Sequence, residues 1–282
     1  MSRLTTAGLL ALGADLSERE RTVILAVAKL RLMTHAQLAA LLALSADASP
    51  ISTARIARRI LARLTDAGVL ARLERRVGGV RAGSAGYVYY LGPAGQRLVA
   101  YWQGRGLTRG RFRPEPGGRY VRHRLAVSEL YVQTRRAANE GRCELLAFDA
   151  EPDCWRSAVD GFGGRTLLKP DAFVRLGLGA YEDSFFIEVD LGSESRSVIA
   201  NKTRAYLDYF HGGTEQAEHG VFPRVLLLTT TAARRAVLSE VCSRLPAEAG
   251  ALFTVALLDS AVDVMSGQIA DDAHELTGEV AS

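Results

Sequence analysis

Between Ser52 and Ala67 the chain sorts its side chains so cleanly that only one kind of setting suits them. On a helix turning about 100° per residue, Ile56, Ala57, Ile60, Leu61 and Leu64 fall on one side, and Arg55, Arg58, Arg59 and Arg63 on the other. Such a helix needs an apolar partner behind it and water or an anion in front. The segment ends at Gly68, the residue most often found just past a helix end. Two shorter helices are signalled upstream. Ser17-Glu18-Arg19-Glu20 reads as a capping box before the helically spaced Val23, Ile24, Val27 and Leu30, and Thr34 to Gln37 repeats the start signal before Leu38, Leu41 and Leu42. A loop from Ser45 to Pro50 separates the second helix from the third. Beyond Gly68, residues 69–74 and 87–91 alternate as short strands joined by a glycine-rich tip that carries Arg75, Arg76 and Arg81. Pro93 to Tyr101 closes the set with one more helix.

Three helices followed by a β-hairpin form the pattern of a winged helix-turn-helix, with the third helix in the major groove and the wing on flanking phosphate or minor groove. The arginines sit where such a fold would use them, on the third helix and at the wing. An arginine fork can bridge two phosphate oxygens or the O6 and N7 of guanine. The DNA-binding set expected from the sequence is Ser52, Thr53, Arg55, Arg58, Arg59 and Arg63 on the helix, with Arg75, Arg76 and Arg81 on the wing. The partner expected is double-stranded DNA, bound with a steep dependence on salt. Because such modules often read paired half-sites, a homodimer is also expected.

Charge supports the same division. The net charge is +4 over 282 residues, yet residues 1–120 carry 19 Lys and Arg against 7 Asp and Glu, leaving 16 against 24 for the remainder. A localised basic half calls for a polyanion. Only Lys29, Lys169 and Lys202 are lysines, which makes the position of each informative. Cys143, Cys154 and Cys242 are scattered, with no spacing that suits a disulfide framework or zinc. No run approaches the roughly 18 apolar residues of a membrane span, so the expectation is a cytoplasmic protein without a membrane partner. The domains expected are 1–102 for DNA binding, a basic proline- and glycine-bearing linker at 103–119, a second domain at 120–265 and a polar tail at 266–282.

From Tyr120 the periodicity changes. A helix to Asn139 is followed by strands near 143–148, 169–175 and 184–190, a helix from Ser195 to Phe210, a strand at 224–229, a helix at 232–245 and a strand at 252–258. The order αβββαβαβ predicts a mixed sheet with helices on both faces, so the whole chain reads as α+β or α/β. Glu188 and Asp190 point to one face of their strand, and a hairpin partner would bring Asp171 beside them. Three carboxylates so placed suit Mg²⁺, which could activate a water against a phosphodiester.

Pro170-Asp171 followed by Glu188-Val189-Asp190 in this element order resembles the PD-(D/E)XK nuclease fold over residues 120–260. The resemblance implies Asp171, Glu188 and Asp190 as metal ligands and catalytic residues, with Glu129 on the preceding helix as a further carboxylate. It departs at Asp190, where the superfamily has a lysine. Lys202 or Lys169 could supply that charge, or could serve instead as a counter-ion. Together with the DNA-binding half, the stretches PDAF, FFIEVDLGSES and SVIANKTRAYLDYF are similar to the replication-relaxation family of plasmids and other mobile elements in actinobacteria. That similarity implies a role in replication or in DNA relaxation during transfer. Two functions follow. In one, the second domain nicks or cleaves DNA with Mg²⁺ as cofactor, through Asp171, Glu188, Asp190, Lys202 and Glu129. In the other, the protein is a non-enzymatic regulator whose second domain dimerises or grips a relaxase or replication initiator.

Overall fold

A computed structural model describes residues 4–44, 50–73, 86–106, 118–159, 164–246 and 249–268. The described residues form ten α-helices and ten β-strands in a mixed α and β arrangement, and the chain divides into two compact units, Met1–Val132 and Gln133–Ser282.

The first unit contains α1 (Thr6–Asp15), α2 (Glu18–Leu30), β1 (Met33–Thr34), α3 (His35–Leu44), α4 (Pro50–Asp66), β2 (Leu70–Arg72), β3 (Val88–Leu91), α5 (Pro93–Trp102) and the first part of α6 (Gly118–Asn139). The capping box forms as its sequence dictates: Ser17 Oγ accepts from the Glu20 amide while Glu20 Oε2 accepts from the Ser17 amide at 2.9 Å. Ala57, Ile60, Leu61 and Leu64 of α4 are buried, opposite an arginine face. Strands β2 and β3 pair antiparallel, and β1 adds a third strand in the order β1-β3-β2. The sequence did not signal α1. Its TAGLLALGAD lacks a polar stripe, but Leu9 and Gly13 are buried and Gly13 lies close against Leu98 of α5. The segment expected as a wing tip, with Arg75, Arg76 and Arg81, lies outside the described residues, as do most of the expected linker and tail.

Helix α6 begins in the first unit and continues into the second. Its first turns are tied to the first unit by buried polar bonds: Arg124 Nη2 donates to Leu30 O, Ser128 Oγ to Leu32 O, and Gln37 Nε2 to Leu125 O. The contacts therefore divide the chain inside a helix, at Val132, whereas the change of sequence period falls at Tyr120.

The second unit is built on a five-stranded sheet in the order β10-β9-β8-β7-β4. Its strands are β4 (Glu144–Ala150), β7 (Ala172–Leu178), β8 (Tyr181–Asp190), β9 (Arg224–Thr229) and β10 (Phe253–Leu257). The β4–β7 and β7–β8 pairs are antiparallel; β8–β9 and β9–β10 are parallel, so the sheet is mixed. A two-residue turn with Gly179 at φ +65° closes the β7–β8 hairpin, a conformation glycine adopts without strain. The crossovers are α7 (Arg196–His211), with the short α8 (Thr214–His219), and α9 (Ala232–Cys242). Helices α7 and α9 share a core with Phe186, Val225, Leu227 and Phe253 from one face of the sheet. The alternate residues Val174, Phe185, Ile187, Leu226 and Leu228 are buried on the other face. The hairpin of β5 (Arg156–Val159) and β6 (Arg165–Leu168), inserted between β4 and β7, and the short α8 and α10 (Ala261–Met265) are additions to the order expected from sequence.

Candidate functional site

Strand β8 is flanked on both sides, so its last six residues, Phe185 to Asp190, are all buried. Phe186 packs its ring on Tyr206 and Tyr209 of α7, and the period of two puts Glu188 on the same side. Asp171, in the bend before β7, is held opposite Glu188: its amide donates to Ile187 O at 2.9 Å, and its Oδ2 accepts from the Val189 amide at 2.7 Å. The Cys154 thiol donates to Pro170 O and steadies this bend. Burial, then the nearby Asp171, push that thiol up to about 12.

Glu188 is only 4% exposed, and both its oxygens are engaged. Lys202 Nζ donates to Oε2 at 2.9 Å and Tyr206 Oη donates to Oε1 at 2.7 Å, from residues one turn apart on α7. Lys202 reaches Glu194 as well, at 3.1 Å. Burial first, then Asp171, raise the Glu188 carboxyl to about 7, partly offset by Lys202 and Tyr206. Burial disfavours the Lys202 ammonium, but Glu188, Asp171 and Glu194 outweigh it and hold the group charged above the ordinary lysine range. Tyr206 is pushed well above the ordinary phenol by burial and by Glu188, to which it donates a hydrogen bond. Tyr209 likewise donates, to the buried Glu215 at 2.6 Å.

The other expected members of the cluster lie elsewhere. Asp190 faces Arg234 of α9, whose Nε and Nη2 donate to Oδ2 at 2.9 and 2.5 Å, while Oδ1 accepts from the Gly192 amide. Arg234 Nη2 also donates to Glu194 O at 2.6 Å. Glu129 belongs to the first unit, where it accepts from Gln37 at 3.0 Å. Lys169 stands over the Trp155 ring. Of the two candidate lysines, Lys202 is the one that meets the carboxylates. Among the described residues no three His, Cys, Asp or Glu side chains converge on a metal position, and the expected trio is reduced to Asp171 and Glu188. The carboxylates left for Mg²⁺, an ion that keeps several waters and takes other ligands from phosphate, are Asp171 and Glu188, and both Glu188 oxygens are already bonded to Lys202 and Tyr206. Arg234 was not legible as a site residue, since it joins Asp190 only through the packing of a helix on the sheet.

On α4 of the first unit, Ser52, Arg55, Arg58 and Arg59 are exposed. Thr53 and Arg63, expected in the same set, are used inside the unit. Thr53 is 5% exposed, because it lies on the apolar side of the helix. Arg63 pairs with the buried Glu20 at 2.7 Å and with Asp15 at 2.6 Å. Arg72 of β2, which the strand alternation did not single out, is exposed and stacks over the rings of Tyr87 and Tyr89. The His35 imidazole is held below its ordinary value by burial, then by Arg58 and Arg72, which places all three in one cationic neighbourhood. Among the described residues no helix is long and apolar enough to cross a membrane.

No curated protein and no solved structure matches the chain. The family model described as replication-relaxation matches residues 25–225, from the second helix through the carboxylate–lysine cluster to the fourth strand of the sheet. A match of that extent covers both units, and the chain therefore belongs to the replication-relaxation family.

Proposed function

We propose that the chain is a duplex DNA-binding protein acting in the replication or relaxation of a mobile element, with a winged helix in its first unit. The observation that carries this reading is the exposed arginine face of α4, Arg55, Arg58 and Arg59, backed by a buried apolar face and flanked by Arg72. Among the described residues no carboxylate pairs with these three arginines, and phosphate spacing suits an arginine fork. Each phosphate contact contributes about 0.9 to the slope of log affinity against log salt. Binding to a random-sequence duplex should weaken steeply between roughly 50 and 200 mM salt, and Arg58→Ala and Arg59→Ala should each flatten the slope by about one. Affinity insensitive to salt, or to both substitutions, would sink the reading.

The second unit is read as a PD-(D/E)XK-like domain, and a specific arrangement favours activity: Asp171, in the bend before β7, is bonded to the Val189 amide next to Glu188, and Glu188 carries Lys202 at 2.9 Å. Asp171 and Glu188 would hold Mg²⁺, which when bound supplies a Lewis acid and an acidified water for attack on a phosphodiester. Lys202 brings a positive charge to the carboxylates in the role that Asp190 cannot fill, Tyr206 fixes one Glu188 oxygen, and Arg234 keeps Asp190 paired. Supercoiled plasmid incubated with the protein and Mg²⁺ or Mn²⁺ should be nicked by the wild type but not by Asp171→Ala or Glu188→Ala. Plasmid left intact by the wild type would make this unit a non-catalytic module that binds a second copy, a relaxase or an initiator. Nicking that survives both substitutions would refute the assignment of the site.

A further inference from the structure

The outward stripe of α4 carries one residue that neither folding nor phosphate contact explains. Ile51, in the first turn, is 75% exposed. At about 100° per residue, positions 51, 55, 58 and 62 lie within roughly 60° of one another, so the isoleucine is in line with Arg55, Arg58 and Ala62, all exposed. A β-branched aliphatic group gives little to helix propensity, and here it gives nothing to the core on the opposite side.

The charge around it specifies what can cover it. A surface of arginines and one aliphatic side chain is complementary to a polyanion that also presents an apolar group, and the floor of the DNA major groove has one, the thymine C5-methyl. The N-terminal residues of a helix laid in that groove are the ones that reach base edges. We propose that Ile51 is a specificity-determining residue that reads a thymine methyl, with Arg55 and Arg58 setting the helix on the flanking backbone. The inference rests on the DNA-binding reading above and adds a base preference to it.

Deoxyuridine, which is thymidine without that methyl, gives a direct test. Full-length protein is used to select bound duplexes from a randomised pool, and each thymine of the selected site is then replaced in turn by deoxyuridine. For the wild type, one replacement should lower affinity about fourfold, the loss expected for one buried methyl group. Ile51→Ala should bind the thymine site more weakly and be insensitive to that replacement, and Ile51→Val should keep part of the discrimination. Because the side chain is exposed, both variants should melt with the wild type. Binding without deoxyuridine sensitivity at any position would overturn the role of Ile51 while leaving DNA binding intact. An equal loss for Ile51→Ala on thymine and deoxyuridine sites would assign the side chain to a contact between bound copies and overturn it as well. Absence of salt-dependent binding to every duplex would overturn both readings together.

Discussion

A carboxyl group buried beside a second carboxylate is difficult to ionise, and Glu188 is in that position with Asp171 opposite. Its folded value of about 7 lies above the 4.5 of a free glutamate, so between those pH values the folded protein retains a proton that the unfolded chain has lost. The sign follows. This group favours the folded state most at low pH, and that contribution is lost as pH rises through about 7. Replacing it with glutamine removes the charge and leaves one carbonyl oxygen where Lys202 and Tyr206 each had their own acceptor. Relative to the wild type, Glu188→Gln should therefore gain stability as pH rises from 5 to 8, because the wild type alone loses the contribution of the retained proton. Thermal melts across that range check it, and a difference that does not vary with pH would contradict the account. Carboxylates held against their preference for water are expected where chemistry is done, at some expense of stability.

At the scale of elements, α5 shows how closely the first unit is assembled. Its first turns cross the Gly68–Val69 turn so tightly that a Cβ on Gly95 would stand 2.2 Å from Val69 O, and one on Gly92 2.4 Å from Gly68 O. Because the obstacle is backbone, it cannot rotate away. Gly95→Ala should cost about 2 to 3 kcal/mol, read as a lower urea midpoint with an unchanged slope. Close approaches of this kind leave no pattern in a sequence. What could be read were periods and caps: the Ser17 box, the two faces of α4, the alternation of β2 and β3, and the apolar run of β8 that places Glu188 and Asp190 on one face. Helix α1 was missed because an alanine- and glycine-rich apolar stretch has no polar stripe to give it a period. The β5–β6 hairpin was missed because a two-stranded ribbon outside the main sheet has few inward positions. Arg55, Arg58 and Arg59 are exposed, as the helical period of α4 predicts. Sequence periods could not foresee that Glu20, which caps α2, would also engage Arg63, nor that Asp190 would meet Arg234 from a helix 44 residues further on.

Across the whole molecule, basic and acidic character are segregated along the chain, and each half has its own candidate chemistry. The two should be separable. In wild-type protein and in Asp171→Ala, the affinity for a random-sequence duplex and its salt slope should agree within error, since Asp171 lies in the second unit and the arginine face in the first. A fall in affinity of tenfold or more in that variant would show that the second unit grips DNA as well. The Lys202 ammonium, divided between Glu188 and Glu194, bears on what the second unit will admit. A cation that already has two counter-ions behaves like an exchange resin. An incoming anion would have to displace a resident carboxylate, and a displaced Glu194 would return its own negative charge to the neighbourhood of Lys202. On the nuclease reading proposed above, small monovalent anions would gain nothing by that exchange, and the site would favour a ligand that arrives with its own compensation: a phosphodiester anchored elsewhere along its strand, or one accompanied by a divalent cation.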